Sequence, residues 1–256
     1  MKNIFSVEGK VALVTGGSSG IGLMIARGFV ANGVKTYISS RKAQVCDEVA
    51  AKLSEHGTCL SLPGDLSEMS AIDAVSAEIL KREGKLDILV NNAGATWGAP
   101  IDEFPESGWD KVMDLNVKSI FFLTKALLPA LRAAASAEDP ARVINIGSID
   151  GLHVNPIEHF PYSAAKAGVH HLTRALARRL APENITVNAI APGPFESKMM
   201  AETLRNYGDQ IAASNPRGRI GTAEDIAGTA IYLASRAGAY TNGVILPVDG
   251  GIAGCS

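Results

Sequence analysis

The chain has 256 residues, 46% hydrophobic but only 5% aromatic, so its core must be built mostly from aliphatic side chains, alanine and glycine. That balance suits a parallel sheet covered by helices better than an aromatic-rich sandwich, and one domain fits the length. Twenty-four basic and 26 acidic residues leave a net charge of −2, without the clustered positive footprint that nucleic-acid binding needs.

The segment Met1-Lys2-Asn3-Ile4-Phe5 meets the charged Glu8-Gly9-Lys10 before any long apolar run forms. No later apolar stretch reaches the ~18 residues of a membrane span, so neither a signal peptide nor membrane insertion is expected. Cys46, Cys59 and Cys255 are widely spaced and odd in number, as reduced thiols in a cytoplasmic protein would be.

Short β-branched runs then alternate with longer helical patterns. Val11-Ala12-Leu13-Val14-Thr15 reads as a buried strand, and residues 20–32 as a helix stopped by Gly33. A strand around Thr36-Tyr37-Ile38 precedes a helix over 43–55, stopped by Gly57. The third strand covers 59–62, followed by a helix over 67–82 that Ser67 is suited to cap. Asp87-Ile88-Leu89-Val90 is the fourth strand, and a long helix is expected from Ser107 to about Ala135. Then come the strand 142–146, the helix 162–180, the strand 185–190, the helix 223–234 and a last strand, 244–248. Apolar strands separated by helices imply right-handed crossovers, hence a doubly wound, Rossmann-type α/β sheet of about seven parallel strands in a single domain, 1–256. Residues 192–221 break the rhythm. A connection that long in a compact domain reads as a small helical lid over a substrate.

Between the first strand and the first helix lies Thr15-Gly16-Gly17-Ser18-Ser19-Gly20-Ile21-Gly22. Glycines allow a tight turn and a close backbone approach to a pyrophosphate, whose charge a helix N-terminus favours, although the same run alone is also an ordinary loop. The Thr-Gly-x-x-x-Gly-x-Gly spacing resembles the fingerprint of the short-chain dehydrogenase/reductase family, and the resemblance runs over essentially the whole chain. Asp65 follows the third strand, where that family sets an aspartate on the adenine amino group, and Asn91-Asn92-Ala93-Gly94 matches its Asn-Asn-Ala-Gly motif. The resemblance implies a nicotinamide dinucleotide held by Gly16, Ser18, Ser19, Gly20, Ile21, Gly22, Ser40, Arg41, Asp65, Leu66, Asn92, Ala93, Gly94, Tyr162, Lys166, Pro192, Gly193 and Ser197, and no metal. Where an acidic residue would hold a bare 2′-hydroxyl, the chain reads Ile38-Ser39-Ser40-Arg41-Lys42, with the uncharged Ser40 in the slot. A hydroxyl followed by a guanidinium suits a 2′-phosphate, so NADP(H) is expected; the bland alternative makes Arg41 and Lys42 a solvated helix start.

Tyr162-Ser163-Ala164-Ala165-Lys166 opens a helix, and positions i and i+4 share a face. A free phenol has a pKa of about 10, and a nearby ammonium favours the phenolate, so Lys166 is expected to lower the pKa of Tyr162. Such pairs are common on solvated helices, but this one follows the fifth strand, where the family's catalytic Tyr-x-x-x-Lys lies. The resemblance makes Ser148 the catalytic serine, holding a carbonyl oxygen as charge develops. It makes Asn116 the asparagine that distorts the long helix and helps hold a water chain to the lysine, in keeping with asparagine's poor helix propensity. Tyr162 would exchange the proton, and Lys166 would also hold the nicotinamide ribose. Thirteen residues separate Ser148 from Tyr162, His153, Pro156, His159 and Pro161 among them. Both of those histidines are candidates for touching substrate or for plain solvated loop, whereas His170 and His171 read as packing or interface residues.

Within the family the chain looks most similar to the 3-oxoacyl-[acyl-carrier-protein] reductases, including relatives that feed rhamnolipids, through residues 185–193 and the ending Val248-Asp249-Gly250-Gly251. That likeness implies NADPH-dependent reduction of a 3-oxoacyl thioester in lipid or fatty-acid biosynthesis. Phe195, Met199, Met200, Leu204 and Ile211 either line an acyl slot or pack the lid, with Lys198, Arg205, Arg217 and Arg219 near an entrance. Glu183 stands where the fatty-acid enzymes carry a carrier-docking arginine, which leaves acyl carrier protein and coenzyme A both open. Arg174, Arg178 and Arg179 supply another patch or a solvated face. The alternatives are an NADP-dependent reductase or dehydrogenase of sugars, polyols or small ketones, and a non-catalytic NADP-binding sensor, against which the full tetrad stands. Relatives form tetramers, and Ile120, Leu127, Leu131, Leu172, Leu176 and Leu180 are the apolar faces expected to build a homotetramer.

Overall fold

The computed structural model describes residues 3–154, 157–197 and 200–255. Along the chain come β1 (Val11–Thr15), α1 (Gly20–Ala31), β2 (Lys35–Ser39), α2 (Ala43–Leu53), β3 (Cys59–Ser61), α3 (Met69–Glu83) and β4 (Ile88–Asn91). They are followed by α4 (Glu106–Met113), α5 (Ser119–Ala134), β5 (Ala141–Ile146), α6 (Phe160–Leu180), β6 (Ile185–Pro192), α7 (Ala201–Ser214), α8 (Ala223–Ala234) and β7 (Ile245–Val248). The strands form one seven-stranded sheet, all pairs parallel, in the order β3-β2-β1-β4-β5-β6-β7. This is the doubly wound single domain that the alternation of strand and helix implied.

Side chains alternate across each strand, so each face of the sheet has its own core. Ala12 and Val14 of β1 join the core beneath α1, α2 and α8, with Ile25, Phe29, Ile226 and Leu233. Val11 and Leu13 join the one beneath α3, α5 and α6, with Ile72, Leu123, Leu127 and Leu131. Helices on both faces are why the strands read as continuous apolar runs. They also account for a correction. Leu127, Leu131 and Leu180, expected as assembly faces, are spent on this core at 0%, 0% and 3% exposure, and Ile120 is also buried, at 3%.

The chain runs from β1 to β2 on one side, while β4 lies on the other, so a crevice opens at the carboxyl ends of β1 and β4. Thr15, the last residue of β1, closes that point: its hydroxyl oxygen accepts from the backbone N–H of Asn92 (2.8 Å) and of Ala93 (2.9 Å).

Two local expectations differ. Ser67 does not cap α3, which begins at Met69; the Asp65 carboxylate takes the Ser67 N–H and hydroxyl instead, at 3.1 and 2.7 Å. The long helix is present but broken. Between α4 and α5 its ladder loosens into a π turn, Asp114–Lys118, a distortion that recurs at functional sites.

Arg142 is 1% exposed, and its guanidinium donates to the carbonyls of Leu233 (3.1 Å), Ser235 (2.9 Å) and Pro140, tying the start of β5 to the end of α8. Unpaired buried acceptors cost about 1–3 kcal/mol each. Arg142→Ala should therefore lower stability by about 3 kcal/mol or more, read as a fall in the urea midpoint at unchanged slope.

Candidate active site

A cleft of about 1050 Å³ lies at the carboxyl ends of the strands. Of the residues expected to hold a dinucleotide, Gly16, Ser19, Gly20, Ile21, Arg41, Asn92, Ala93, Gly94, Tyr162, Lys166, Pro192, Gly193 and Ser197 line it. Ser18, Gly22, Ser40, Asp65 and Leu66 do not. Gly16 has φ +65°, and a Cβ there would fall 2.6 Å from the Asn92 side-chain nitrogen. At Gly22 it would fall 2.4 Å from the same atom, so the turn closes onto Asn92 and only glycine fits. Ser19 adds no side-chain cap to α1 and its first turn has no acidic residue, so its opening amides remain free for an anion.

Beyond β2, the Ser40 hydroxyl is buried without a hydrogen-bond partner among the described residues. Arg41 is 60% exposed, with one guanidinium nitrogen 3.9 Å from an Asp65 carboxylate oxygen. An unspent hydroxyl beside a loosely held guanidinium fits a phosphate on the adenine ribose.

Ser148 and Lys166 are buried, and both line the cleft with Tyr162. The Ser148 hydroxyl oxygen accepts from the Asp150 N–H at 3.2 Å. The Lys166 ammonium donates to the Ile146 carbonyl at 2.8 Å and stands 5.4 Å from the Tyr162 ring centroid. Burial pushes the Tyr162 phenol up to about 12, against a hydrogen bond with Ser148 that favours the phenolate; the Asp150 charge adds to the rise. The expected lowering by Lys166 is not seen: the one opposing influence is the hydrogen bond with Ser148. Burial also brings Lys166 down to about 8, opposed by the Asp150 carboxylate.

Asn116 sits in the π turn, fully buried and outside the cleft wall. Its side chain is spent on one backbone unit, accepting from the Ala95 N–H at 2.8 Å and donating to the Ala95 carbonyl at 2.9 Å. It anchors the loop after β4. His170 is buried beneath the Ser148 turn, where a Cβ on Gly147 would meet its ring at 2.2 Å, and burial lowers its pKa to about 4. It is a neutral packing residue, as expected.

The family profile described as "Enoyl-(Acyl carrier protein) reductase" matches residues 16–253. The rhamnolipids biosynthesis 3-oxoacyl-[acyl-carrier-protein] reductase of Pseudomonas aeruginosa is 46% identical over 253 residues, 98% of this chain and 99% of that protein. The chain belongs to the short-chain dehydrogenase/reductase family. The 3-oxoacyl-[acyl-carrier-protein] reductase FabG of Salmonella typhimurium is 36% identical, covering 96% of this chain and 98% of its own. The Pseudomonas aeruginosa RhlG/NADP active-site complex superposes with a TM-score of 0.95 at 45% identity, over 99% of this chain and 100% of that one.

In this short-chain dehydrogenase/reductase, the segment 192–221 is clipped at its base. Phe195 pairs with Gly221, whose N–H donates to the Pro194 carbonyl at 2.9 Å. Phe195, Met200 and Ile211 line the cleft, but Leu204 faces a separate groove against α1, and Met199 and Lys198 lie outside the described residues, as does Pro156. Arg219 is no entrance charge: it is spent on Asp225 at 2.6 and 3.0 Å, at the start of α8. His153 and His159 both line the cleft.

Several wall residues went unseen in the sequence. Asp150, Ile157 and Ile252 line the cleft, Ile252 because the C-terminal turn folds back on Asp249, whose carboxylate accepts from Gly251 and Ala253. No motif or periodicity marks any of the three. Among the described residues no three His, Cys, Asp or Glu side chains converge to hold a metal, and no helix is long and apolar enough to cross a membrane.

Proposed function

We propose that this enzyme reduces a 3-oxoacyl thioester to its 3-hydroxyacyl thioester with NADPH. The observation that carries it is one cleft lined both by Ser148, Tyr162 and Lys166 and by the apolar Phe195, Met200, Ile211 and Ile252. When bound, the reduced nicotinamide supplies the hydride. Ser148 donates to the carbonyl oxygen, and Tyr162 delivers its phenolic proton there as charge develops. A phenol near 12 is fully protonated at neutral pH, which suits a donor to an alkoxide. Lys166, protonated below about 8, is the near cation for the phenolate left behind and the hydrogen-bond donor for the nicotinamide ribose. Asn116 acts as a positioning residue through Ala95. Gly16, Gly20 and Gly22 admit the pyrophosphate, Asp65 and Leu66 the adenine, and Ser40 with Arg41 the 2′-phosphate. Segment 192–221 is the lid over the acyl chain.

An acyl carrier is the expected partner. Glu183 is clamped by Arg132 and Arg179, each at 2.6 Å, so its carboxylate does not leave that edge acidic. Steady-state assays with NADPH on thioesters of four to ten carbons test the reading. Each buried methylene contributes roughly 0.8 kcal/mol, so efficiency should rise by about fourfold per carbon until the slot is full. A flat series, or turnover of polyhydroxy ketones alone, would overturn it.

A cytoplasmic homotetramer is also proposed. Trp109, Phe121 and Phe160 on α4, α5 and α6 are 43%, 41% and 39% exposed, aromatic surface that further copies of the chain would cover. Light scattering at micromolar concentration should give four times the chain mass; a monomeric peak refutes the assembly.

A further inference from the structure

The loop between Ser148 and Tyr162 carries groups that the reduction itself does not use. His153 Nε2 is buried and has no hydrogen-bond partner among the described residues. His159 Nε2 lies 3.2 Å from an Asp150 carboxylate oxygen, without the alignment of a hydrogen bond, and its ring centroid is 5.3 Å from that of Tyr162. Both side chains line the cleft beside the reacting groups. Buried polar atoms normally find partners, so an unspent imidazole nitrogen in a cleft wall marks a place where a ligand atom belongs.

The surroundings narrow what that atom is. Ile149 and Ile157 on the same loop are apolar, and Asp150 as a carboxylate only accepts. Among the described residues of this loop that line the cleft, the two imidazoles are therefore the side-chain donors for a neutral oxygen. A 3-oxoacyl thioester carries two carbonyls on alternate carbons. With the one being reduced on Ser148 and Tyr162, the thioester carbonyl is two carbons away, and the ring of His159 stands next to that of Tyr162. A neutral imidazole carries one N–H, so each ring can donate to a ligand oxygen.

We propose that His153 and His159 form a second polar subsite that binds the carbonyl oxygen two carbons from the one reduced. The subsite makes the enzyme selective for 1,3-dicarbonyl substrates over simple ketones. It deepens the acyl-reductase reading and rests on it for the identity of the thioester.

The test compares wild type with His153→Leu, His159→Phe and His159→Gln on two pairs. One pair is a 3-oxoacyl thioester and a monoketone of matched length; the other is a 1,3-diketone and its monoketone. The wild-type enzyme should prefer the dicarbonyl in both pairs. The Leu and Phe variants should each lose about tenfold in kcat/KM on dicarbonyls while their monoketone efficiency stays level, and His159→Gln should recover part of the loss because it keeps a donor. Equal losses on both members of a pair, or no loss on either, would overturn the subsite. Because the diketone pair contains no thioester, refusal of thioesters with a surviving diketone preference would sink the acyl reading and leave the subsite standing.

Discussion

Tyr162→Phe should lower the reductive turnover by about 100-fold or more, a loss near 2.7 kcal/mol in the barrier, while NADPH binding stays close to wild type. The ring and its packing survive the change, and only the proton donor goes. Titration of NADPH fluorescence, run beside steady-state kinetics, separates the two effects; near-wild-type turnover would remove Tyr162 from the mechanism. The wild-type pH profile should carry the mark of its neighbour. Burial brings Lys166 down to about 8, so the ammonium is present below that value and is lost as the pH rises through it. The reductive rate should be level near neutrality and fall above about 8. Asp150 holds that proton on Lys166, so Asp150→Asn should move the alkaline fall to lower pH.

Ser40→Asp combined with Arg41→Ala should shift the ratio of NADPH to NADH efficiencies by about 100-fold or more towards NADH. The change puts a carboxylate where the buried Ser40 hydroxyl now stands and withdraws the guanidinium. Arg41 is held only loosely by Asp65, at 3.9 Å and largely in solvent, so little structure depends on it. A carboxylate repels a 2′-phosphate but accepts from a 2′-hydroxyl, so the two cofactors should respond in opposite directions. An unmoved ratio would mean that another group reads the phosphate.

The sequence by itself determined the sheet, because strands buried on both faces must be continuous apolar runs and longer helical patterns alternate with them. The glycine turn and the shared helix face of Tyr162 and Lys166 were also legible, since each rests on spacing that local geometry converts directly into a turn or a face, whereas Ser148 was implied only by the family resemblance. Asn116 was legible as a break in the long helix, but its partner Ala95 was not, because that contact joins segments distant in the chain. Tertiary structure alone decided the electrostatics. Lys166 stands at the expected helical spacing from Tyr162, yet the phenol is pushed up rather than down, because burial, which the whole fold sets, and the Asp150 charge raise it and only the Ser148 hydrogen bond lowers it. It decided which apolar residues face the substrate as well. Leu204 and Ile211 share one amphipathic helix, α7, but only Ile211 reaches the cleft. The leucines of α5 that looked spare were needed to cover the sheet, for periodicity says that a helix has an apolar face and not what lies against it.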